Sequence, residues 1–169
     1  DRWDVTSVHE PYRVLLIDDD DLVGQYVSEK LRLAGMLVQH LSDVSQILPP
    51  LEEWQPDVLV MDIVTVGIEV VTLIRHQQNY IGLPIIFLSS DKSMELQMLT
   101  IEAGGDEFLL KGLHNDYLIN VIQYRCSRFR KLRALTECDS LTGLLNHTRI
   151  KERLVLEVGR AIREEEPVS

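Results

Sequence analysis

Short apolar segments of this chain end in side chains that could do chemistry together. The residues at these ends are two adjacent acids, a later acid, a hydroxyl and an amine: Asp18, Asp19, Asp62, Ser89 and Lys111. Crowded carboxylates repel one another, and a hard divalent cation relieves that repulsion. Mg²⁺ suits such a group because it takes one or two carboxylates together with water and phosphate oxygens. A carboxylate beside Mg²⁺ and a lysine can attack a phosphoryl group, and a serine hydroxyl can hydrogen-bond the product.

These side chains meet only if the apolar segments form one sheet with a common direction. The expected strands are 13–18, 36–41, 56–62, 83–90 and 106–111. Helical segments alternate with them at 21–35, 67–79 and 91–105, weakly at 43–54, and from near Asn115 to about Cys138. Such alternation implies right-handed crossovers and a parallel sheet covered on both faces. We therefore predict an α/β fold, a doubly wound five-stranded parallel sheet with a C-terminal helical extension.

Local signals predict several helix ends. Asp91 is the expected N-cap of the helix in 91–105, and the glycines at 104 and 105 are expected to end it. Pro49 and Pro50 should interrupt or restart the weak helix, because proline removes a backbone donor and clashes with the preceding turn.

Each candidate site residue also has a simpler structural interpretation. The acids of 18–21 could form a solvated turn before a helix, where negative charge suits the helix dipole. Asp62 could be a helix cap, Ser89 a strand-end hydroxyl and Lys111 a surface lysine. Ligand chemistry on a parallel sheet lies at the carboxyl ends of its strands. The order of the residues along one such edge therefore favours the functional interpretation.

Composition limits the classes of function. The chain has 169 residues and a formal net charge of −10, so we expect one domain with an appendage and no nucleic-acid partner. Cys126 and Cys138 are expected to be reduced thiols of a cytoplasmic protein. No apolar run approaches ~18 residues, so we expect no membrane span. Residues 1–11 lack the order of a signal peptide and are interpreted as a tail or linker.

Residues 12–125 resemble a two-component response-regulator receiver domain. The motifs that carry the resemblance occur in the family's order: LLIDDDD, PDVLVMD, PIIFLSS and AGGDEFLLK. The resemblance implies a flavodoxin-like fold and a role for each site residue. Asp18 and Asp19 would bind Mg²⁺ with Asp62 and the backbone carbonyl of Val64, Asp62 would accept the phosphoryl group, Ser89 would be the switch hydroxyl, Lys111 would pair with phosphate, and Phe108 would turn inward with Ser89.

The sequence departs from the family pattern at two points. After the acceptor the family reads D-x-x-M-P-x-x-x-G, whereas here Gly67 follows Asp62 after four residues and the Met-Pro is absent. Either this loop is short or exposed residues are missing from the sequence. The usual Lys-Pro is Lys111-Gly112, and a cis bond before glycine would cost ~2.5–4 kcal/mol. We therefore expect Lys111 to sit differently, and both departures concern switching more than fold.

The letters GGDEF at 104–108 also name a family of diguanylate cyclases. In this chain they are expected to be the end of a helix and the start of the fifth strand, because the same junction occurs in receivers. The segment DSLTGLLNHTR at 139–149 is similar to the opening of the cyclase domain, although His147 replaces its first arginine. We interpret 139–169 as the start of such a domain without its active site. The alternative is a capped turn that joins two helices.

Residues 126–138 are predicted to form a helical stalk. The apolar residues Leu118, Ile122, Phe129 and Leu132 have the spacing of a helix seam, so we expect a homodimer. Alternatively, Leu118 and Ile122 pack on the sheet, and the basic residues between 125 and 133 form a solvated face.

The motifs together predict a response regulator of a phosphorelay. A sensor histidine kinase or phosphotransfer protein would phosphorylate Asp62 with Mg²⁺, and the receiver would control a C-terminal diguanylate cyclase. The alternative is a receiver that no longer switches and serves as a dimerisation or docking module. A third hypothesis is that this chain is itself an enzyme, but we expect no GTP turnover from it.

Overall fold

Five parallel strands form a single sheet in the computed structural model, which describes residues 10–91, 93–112 and 115–137. The strands are β1 (Arg13–Ile17), β2 (Leu37–Leu41), β3 (Val58–Asp62), β4 (Ile85–Ser89) and β5 (Glu107–Leu110). Their order across the sheet is β2-β1-β3-β4-β5. The order reverses between β1 and β3, so these two strands flank the switch point at which such sheets bind ligands.

Helices connect the strands and cover both faces of the sheet. They are α1 (Asp21–Leu33), α2 (Ile63–Val66), α3 (Ile68–His76), α4 (Met94–Ala103) and α5 (Asn115–Glu137). Short turns occupy Val44–Gln46, Pro50–Trp54 and Gln78–Tyr80. The predicted doubly wound α/β fold is confirmed. Among the described helices, we find none that combines the length and apolar character needed to cross a bilayer.

The strands are apolar on both faces because helices cover both. On one face, Leu15, Met61 and Phe87 belong to a buried cluster with α2 and α3. On the other face, Leu16 and Val60 pack with α1 and α5. Alternate residues of a strand point to opposite faces, which divides the core into two layers. The sheet is therefore held rigid from both sides, and the ends of its strands keep fixed positions.

Two details of the helix predictions are wrong. Ser93, rather than Asp91, is the N-cap of α4, and its Oγ accepts a hydrogen bond from the Leu96 N–H at 3.2 Å. Asp91 lies in the loop, where its carboxylate accepts from the Ser93 N–H at 2.8 Å. The predicted helix 67–79 ends at His76 because Gln77 takes an extended conformation.

The prolines act on the weak helix as expected. The segment forms two separate turns, Val44–Gln46 and Pro50–Trp54, instead of a continuous helix. Pro50 is the first residue of the second turn, where its missing N–H has no intrahelical acceptor to lose. Gln55 ends this turn with a φ of 54°, in the left-handed region.

The letters GGDEF form the predicted junction of a helix and a strand. Gly104 ends α4 with a φ of 113°, and a Cβ there would lie 2.5 Å from Cγ of Arg75. The guanidinium of Arg75 donates to the Gly104 carbonyl at 2.8 Å and pairs with Asp106 at 2.6 Å. A Cβ on Gly105 would lie 2.5 Å from the Phe87 ring. The glycines therefore permit close packing between α3, α4 and the sheet.

The long helix α5 packs on the sheet along much of its length. Leu118, Ile122 and Cys126 are buried in the layer formed with α1, whereas Leu132 is 52% exposed. This arrangement follows the packing alternative for Leu118 and Ile122 and leaves the predicted homodimer untested. Burial raises the pKa of the Cys126 thiol well above its ordinary value, so that side chain stays neutral.

The basic residues of α5 do not form a uniformly solvated face, so this part of the alternative interpretation is wrong. Arg130 forms an ion pair with Asp57 through two hydrogen bonds of 3.0 and 2.7 Å. Its guanidinium also donates to the carbonyls of Glu10 and Pro11 and lies 4.6 Å from the Tyr12 ring centroid. We call Asp57, Arg130 and Tyr12 the arginine clamp. It holds the supposed stalk against the amino-terminal edge of the sheet.

Other basic residues of α5 divide between the domain and the solvent. Arg125 pairs with Glu107 at 2.9 Å, whereas Arg128 and Lys131 are exposed. The division into receiver, stalk and cyclase start stays a prediction, since residues 138–169 lie outside the described residues.

Candidate functional site

The acids singled out in the sequence meet at the carboxyl edge of the sheet. Carboxylate oxygens of Asp18, Asp19 and Asp62 all lie within 4.8 Å of one another. Asp18 and Asp62 are buried, with 1% and 6% of their surfaces exposed, whereas Asp19 is exposed. We call these residues, together with Lys111, the acid cluster. The cluster is buried at its base and open on one side, as a site for an incoming group must be.

Lys111 lies in the same site, in spite of its unusual neighbour. Its Nζ is 2.9 Å from Asp18 Oδ2 and 2.9 Å from Asp62 Oδ1. Burial alone would lower the pKa of Lys111, but the hydrogen bonds and charges of Asp62 and Asp18 outweigh it and raise the pKa overall. The ammonium therefore stays charged.

The bond between Lys111 and Gly112 is trans, like every peptide bond in the described residues. Gly112 takes a φ of 86° instead, which turns the chain after the strand. The Lys111 N–H donates to the Ser89 carbonyl at 2.8 Å, which anchors the lysine beside β4. Gly112 therefore does not prevent the Lys111 ammonium from reaching both buried carboxylates, and whether Lys111 sits differently from its counterparts in the family stays a prediction.

The acidic run after β1 serves both purposes considered for it. The Asp18 N–H donates to the Leu41 carbonyl at 3.0 Å. This hydrogen bond continues the ladder between β1 and β2 and fixes Asp18 at the carboxyl edge of the sheet. Asp20 is the N-cap of α1 and accepts from the N–H groups of Leu22 and Val23. Asp21 lies in the first turn of α1, where its charge suits the dipole.

Asp62 is also a helix cap, as the simpler interpretation had it. Its Oδ2 accepts from the Thr65 N–H at 3.0 Å and from Thr65 Oγ1 at 2.8 Å. Thr65 Oγ1 in turn accepts from the Asp19 N–H at 3.1 Å. Thr65 was not singled out from the sequence, although the three-residue spacing from an acid at a strand end is the usual spacing of an N-cap contact.

His40 was also missed. Its Nε2 donates to the Asp18 carbonyl at 2.8 Å and so supports the turn that carries the first two acids. The signal was weak, because a histidine at the end of a strand has many possible roles.

The remaining candidate residues surround the cluster. Val64 lies in α2 with its side chain 84% exposed, and the role of its carbonyl as a metal ligand stays a prediction. Ser89 is buried at the end of β4, and its Oγ accepts from the Asp91 N–H at 3.0 Å. Phe108 is half-buried and packs against the α3 layer. The switch roles of Ser89 and Phe108 also stay predictions.

The donor set fits a hard divalent cation. Its ligands are carboxylate oxygens, which Mg²⁺ prefers. Three carboxylates lie together here, and Lys111, which contacts two of them, supplies the one ammonium found in this site among the described residues. The site therefore has an excess of negative charge that a metal ion would balance. The short helix α2 follows β3 directly, and Gly67 alone separates it from α3, so the acids come together with this connection as the sequence has it.

A parallel five-stranded sheet with this acid cluster, whose lysine directly follows the last strand, defines a class of phosphate-handling signalling domain. Comparison with known families agrees. Residues 14–123 match the family model of the response regulator receiver domain. The chain belongs to this family.

Solved structures share the fold. The Francisella response regulator 1452 receiver domain is 28% identical, with a TM-score of 0.63, and the match covers 70% of this chain and 98% of that one. A putative response regulator from Chloroflexus aurantiacus J-10-fl superposes with a TM-score of 0.66 at 24% identity, covering 70% of this chain and 99% of that one. At 24% identity, the second comparison supports the fold alone.

Curated relatives are longer than this chain. The transcriptional regulatory protein PrrA of Mycobacterium tuberculosis is 37% identical over 109 residues, which are 63% of this chain and 46% of PrrA. An uncharacterised 76.5 kDa protein of Thiocystis violacea is 30% identical over 124 residues, 72% of this chain and 18% of that protein. The chain thus spans less than half the length of these two relatives.

Membership of the family brings several properties. Receiver domains belong to two-component systems, are phosphorylated on an aspartate, and bind Mg²⁺ at an acidic site. They interact with histidine kinases or phosphotransfer proteins. Asp18, Asp19 and Asp62 are the described residues of this chain that could hold such a metal ion.

Proposed function

We propose that Asp62 is the phosphoryl acceptor of this receiver and that Asp18 and Asp19 hold Mg²⁺ beside it. The observation that carries the proposal is the position of Lys111, whose Nζ is 2.9 Å from both buried carboxylates. An Asp62 oxygen attacks phosphorus, the bond from phosphorus to the donor's imidazole nitrogen breaks, and an acyl phosphate remains on Asp62. The imidazole leaves as the neutral base when its other ring nitrogen already carries a proton, and otherwise it takes up one proton from solvent as it leaves.

The residues of the cluster divide the work of this transfer. Lys111 is charged and stands beside the acceptor, so it can pair with the phosphoryl oxygens as they arrive. Mg²⁺, when bound, supplies further neutralisation of the negative charge. The buried base of the site keeps Asp62 oriented.

The response to phosphorylation is proposed to pass through Ser89 and Phe108. Ser89 Oγ is held by the Asp91 backbone, with which it exchanges hydrogen bonds of 3.0 and 3.3 Å. A new phosphoryl group offers strong acceptor oxygens, so the hydroxyl can leave this loop and donate to the acyl phosphate. Phe108 would then move into the space released, which shifts the population of the two states.

The partner that supplies the phosphoryl group is proposed to dock beside Lys111. A pocket of about 510 Å³ lies between α1 and the start of α5. Its lining residues include Leu22, Tyr26, Lys111, Gly112 and Tyr117. Leu22 is 80% exposed and Tyr117 is 53% exposed, so apolar side chains are available at the mouth of the site. A histidine kinase or phosphotransfer protein would cover this surface.

For the output, we propose a C-terminal diguanylate cyclase that lies mostly beyond this chain. Its support is the motif DSLTGLLN at 139–146, directly after the long helix. Relatives such as PrrA are named transcriptional regulators, which favours a DNA-binding output as the second candidate. GTP turnover to cyclic di-GMP by the protein with its full C-terminal part would support the cyclase. Binding of that protein to promoter DNA without GTP turnover would instead support the second candidate.

The competing proposal is a receiver that docks or dimerises without switching. It is favoured by the contacts of Asp62, whose two oxygens are already engaged by Lys111 and Thr65. A retained phosphorylation site should bind Mg²⁺ at about millimolar concentration, whereas a docking module has no such requirement.

Beryllofluoride with Mg²⁺ separates the two proposals. Because beryllofluoride imitates a phosphoryl group on aspartate, the wild-type protein should bind it and show changed amide signals at Ser89 and Phe108 in NMR spectra. Asp62→Asn should show neither change and should take up no phosphoryl group from acetyl phosphate by intact mass. Absence of any response in the wild type, or an equal response in Asp62→Asn, contradicts phosphorylation at Asp62.

A further inference from the structure

Thr65 makes direct contact with the proposed acceptor. Its hydroxyl donates to Asp62 Oδ2 at 2.8 Å, and its N–H donates to the same oxygen at 3.0 Å. The other oxygen, Oδ1, faces the Lys111 ammonium at 2.9 Å. Both oxygens of the acceptor are therefore engaged.

The Thr65 hydroxyl also joins two parts of the acid cluster. While it donates to Asp62, its oxygen accepts from the Asp19 N–H at 3.1 Å. A hydroxyl can do both at once because it has one donor and two acceptor lone pairs. The short connection makes this possible, since α2 begins directly after β3 and places Thr65 three residues beyond the acceptor.

We propose that Thr65 is a positioning residue that restrains Asp62 and competes with Mg²⁺ and the phosphoryl group for its oxygens. This inference rests on the proposed function of Asp62. Charge-assisted hydrogen bonds stabilise the free, ionised carboxylate. Such a carboxylate is therefore a weaker ligand for Mg²⁺ and a weaker nucleophile. When an acyl phosphate forms, the charge leaves the carboxyl oxygens and the contact with Thr65 weakens. Thr65 thus opposes Mg²⁺ binding and phosphorylation of Asp62, and its contact with Asp62 is released when the acyl phosphate forms.

Replacement of Thr65 by valine tests the competition. Valine keeps the branched shape and the backbone N–H but lacks the hydroxyl. We expect Thr65→Val to bind Mg²⁺ about fivefold more tightly and to react about fivefold faster with acetyl phosphate, the size of one hydrogen bond. Calorimetric titration with MgCl₂ measures the first effect, and intact mass over time measures the second. Thr65→Ser restores the hydroxyl and should behave as the wild type.

Thr72→Val is the matched control. The Thr72 hydroxyl donates to the Ile68 carbonyl within α3 at 3.0 Å, so its loss should leave Mg²⁺ affinity unchanged. In an Asp62→Asn background, Thr65→Val should have little effect, because the contact through which it acts has lost its charge. Unchanged or weaker Mg²⁺ binding by Thr65→Val, or an equal gain with Thr72→Val, overturns the inference.

The same measurements distinguish this inference from the proposed function. If the wild type takes up the phosphoryl group but Thr65→Val matches it, Asp62 is the acceptor and Thr65 has no restraining role. If the wild type takes up no phosphoryl group, the function of Asp62 fails, and the Mg²⁺ titration still decides whether Thr65 competes for its oxygens.

Discussion

Each edge of the sheet buries an aspartate beside a cationic side chain. The two edges differ in the balance between carboxylates and cationic groups. At the carboxyl edge, three carboxylates lie together, and the Lys111 ammonium contacts those of Asp18 and Asp62. At the amino edge, Asp57 pairs with Arg130 through two hydrogen bonds of 3.0 and 2.7 Å. Asp57 also accepts from the Arg13 N–H at 2.8 Å. The first group has unbalanced charge, and the second is paired.

This difference separates a site from a structural contact. Unbalanced carboxylates raise the free energy of the folded protein, and a metal ion or a new partner can lower it. A carboxylate that is already paired and hydrogen-bonded has no unbalanced charge, so a metal ion cannot lower the free energy of the folded protein in the same way. Arginine suits the second role because its planar guanidinium holds both carboxylate oxygens at once, whereas lysine acts as a point charge. Buried aspartates of similar exposure therefore have opposite uses in one domain.

The largest expected effect is the loss of the arginine clamp. Arg130→Gln leaves Asp57 buried without its charged partner, which should lower the free energy of unfolding by about 3 kcal/mol. Urea denaturation followed by circular dichroism measures the loss. The control Arg128→Gln alters an exposed residue of the same helix and should change stability by less than about 0.5 kcal/mol. Equal stability of the two variants would show that the clamp is not structural.

Mg²⁺ should stabilise only through the carboxyl edge. At ten times its dissociation constant, the ion should raise the free energy of unfolding of the wild type by about 1.4 kcal/mol. Arg130→Gln should gain the same amount, because sites at opposite edges act independently. Asp62→Asn should gain less. Thermal unfolding in a series of MgCl₂ concentrations measures these gains, and a smaller gain in Arg130→Gln would mean that the edges are coupled.

Replacing an aspartate by asparagine should change the free energy of unfolding in opposite directions at the two edges of the sheet. Without Mg²⁺ and at low salt, Asp19→Asn should stabilise the protein by about 1 kcal/mol, because it removes repulsion between charges a few ångströms apart. Asp57→Asn should destabilise it, since Arg130 loses its partner. Urea denaturation at two ionic strengths measures both changes. The gain in Asp19→Asn should shrink as salt screens the charges, and a loss of stability there would contradict excess charge in the cluster.

The smallest expected effect is on the pH dependence of stability. The folded-state pKa of Lys111 lies above its ordinary value of 10.5, so the amine stabilises the fold fully below that pH. The contribution is lost as pH rises through the folded pKa. The difference in stability between wild type and Lys111→Gln should therefore narrow above pH 10.5, as measured by urea denaturation.

The matching difference for Arg130→Gln should stay nearly constant over the same pH range, because the guanidinium does not titrate there. Ionisation of Tyr80, whose pKa burial raises to about 12, occurs in all of these proteins and cancels in each comparison. If the difference for Lys111→Gln is also independent of pH, the Lys111 amine does not stabilise the acid cluster.

The fold could be predicted well because its signals are local. Apolar runs of strand length alternate with segments of helical period, and the resulting order of elements permits few topologies. The last helix was predicted from near Asn115 to about Cys138, and α5 occupies Asn115–Glu137. The cap of α4 was misplaced because Asp91 and Ser93 are both good caps, and only the path of the loop selects between them.

The site could be predicted in part, and for a different reason. Asp62 ends a strand, and Asp18 and Lys111 directly follow strands, so strand direction alone places them at one edge. Thr65 could not be ranked above the neighbouring residues, since its contacts depend on how tightly α2 turns after β3. A solvated Arg130 remained one of the alternatives because its partner Asp57 is 73 residues away in the sequence.

By itself, the sequence determined the strands, their direction and the acids at their ends, because these follow from side-chain period and chain order. Only the tertiary structure decided which charges are paired. An arginine on a helix and an aspartate before a distant strand show no mutual signal until the helix packs across the sheet. Pairing depends on distances of a few ångströms between remote residues, and such distances exist only after both layers of the core have formed.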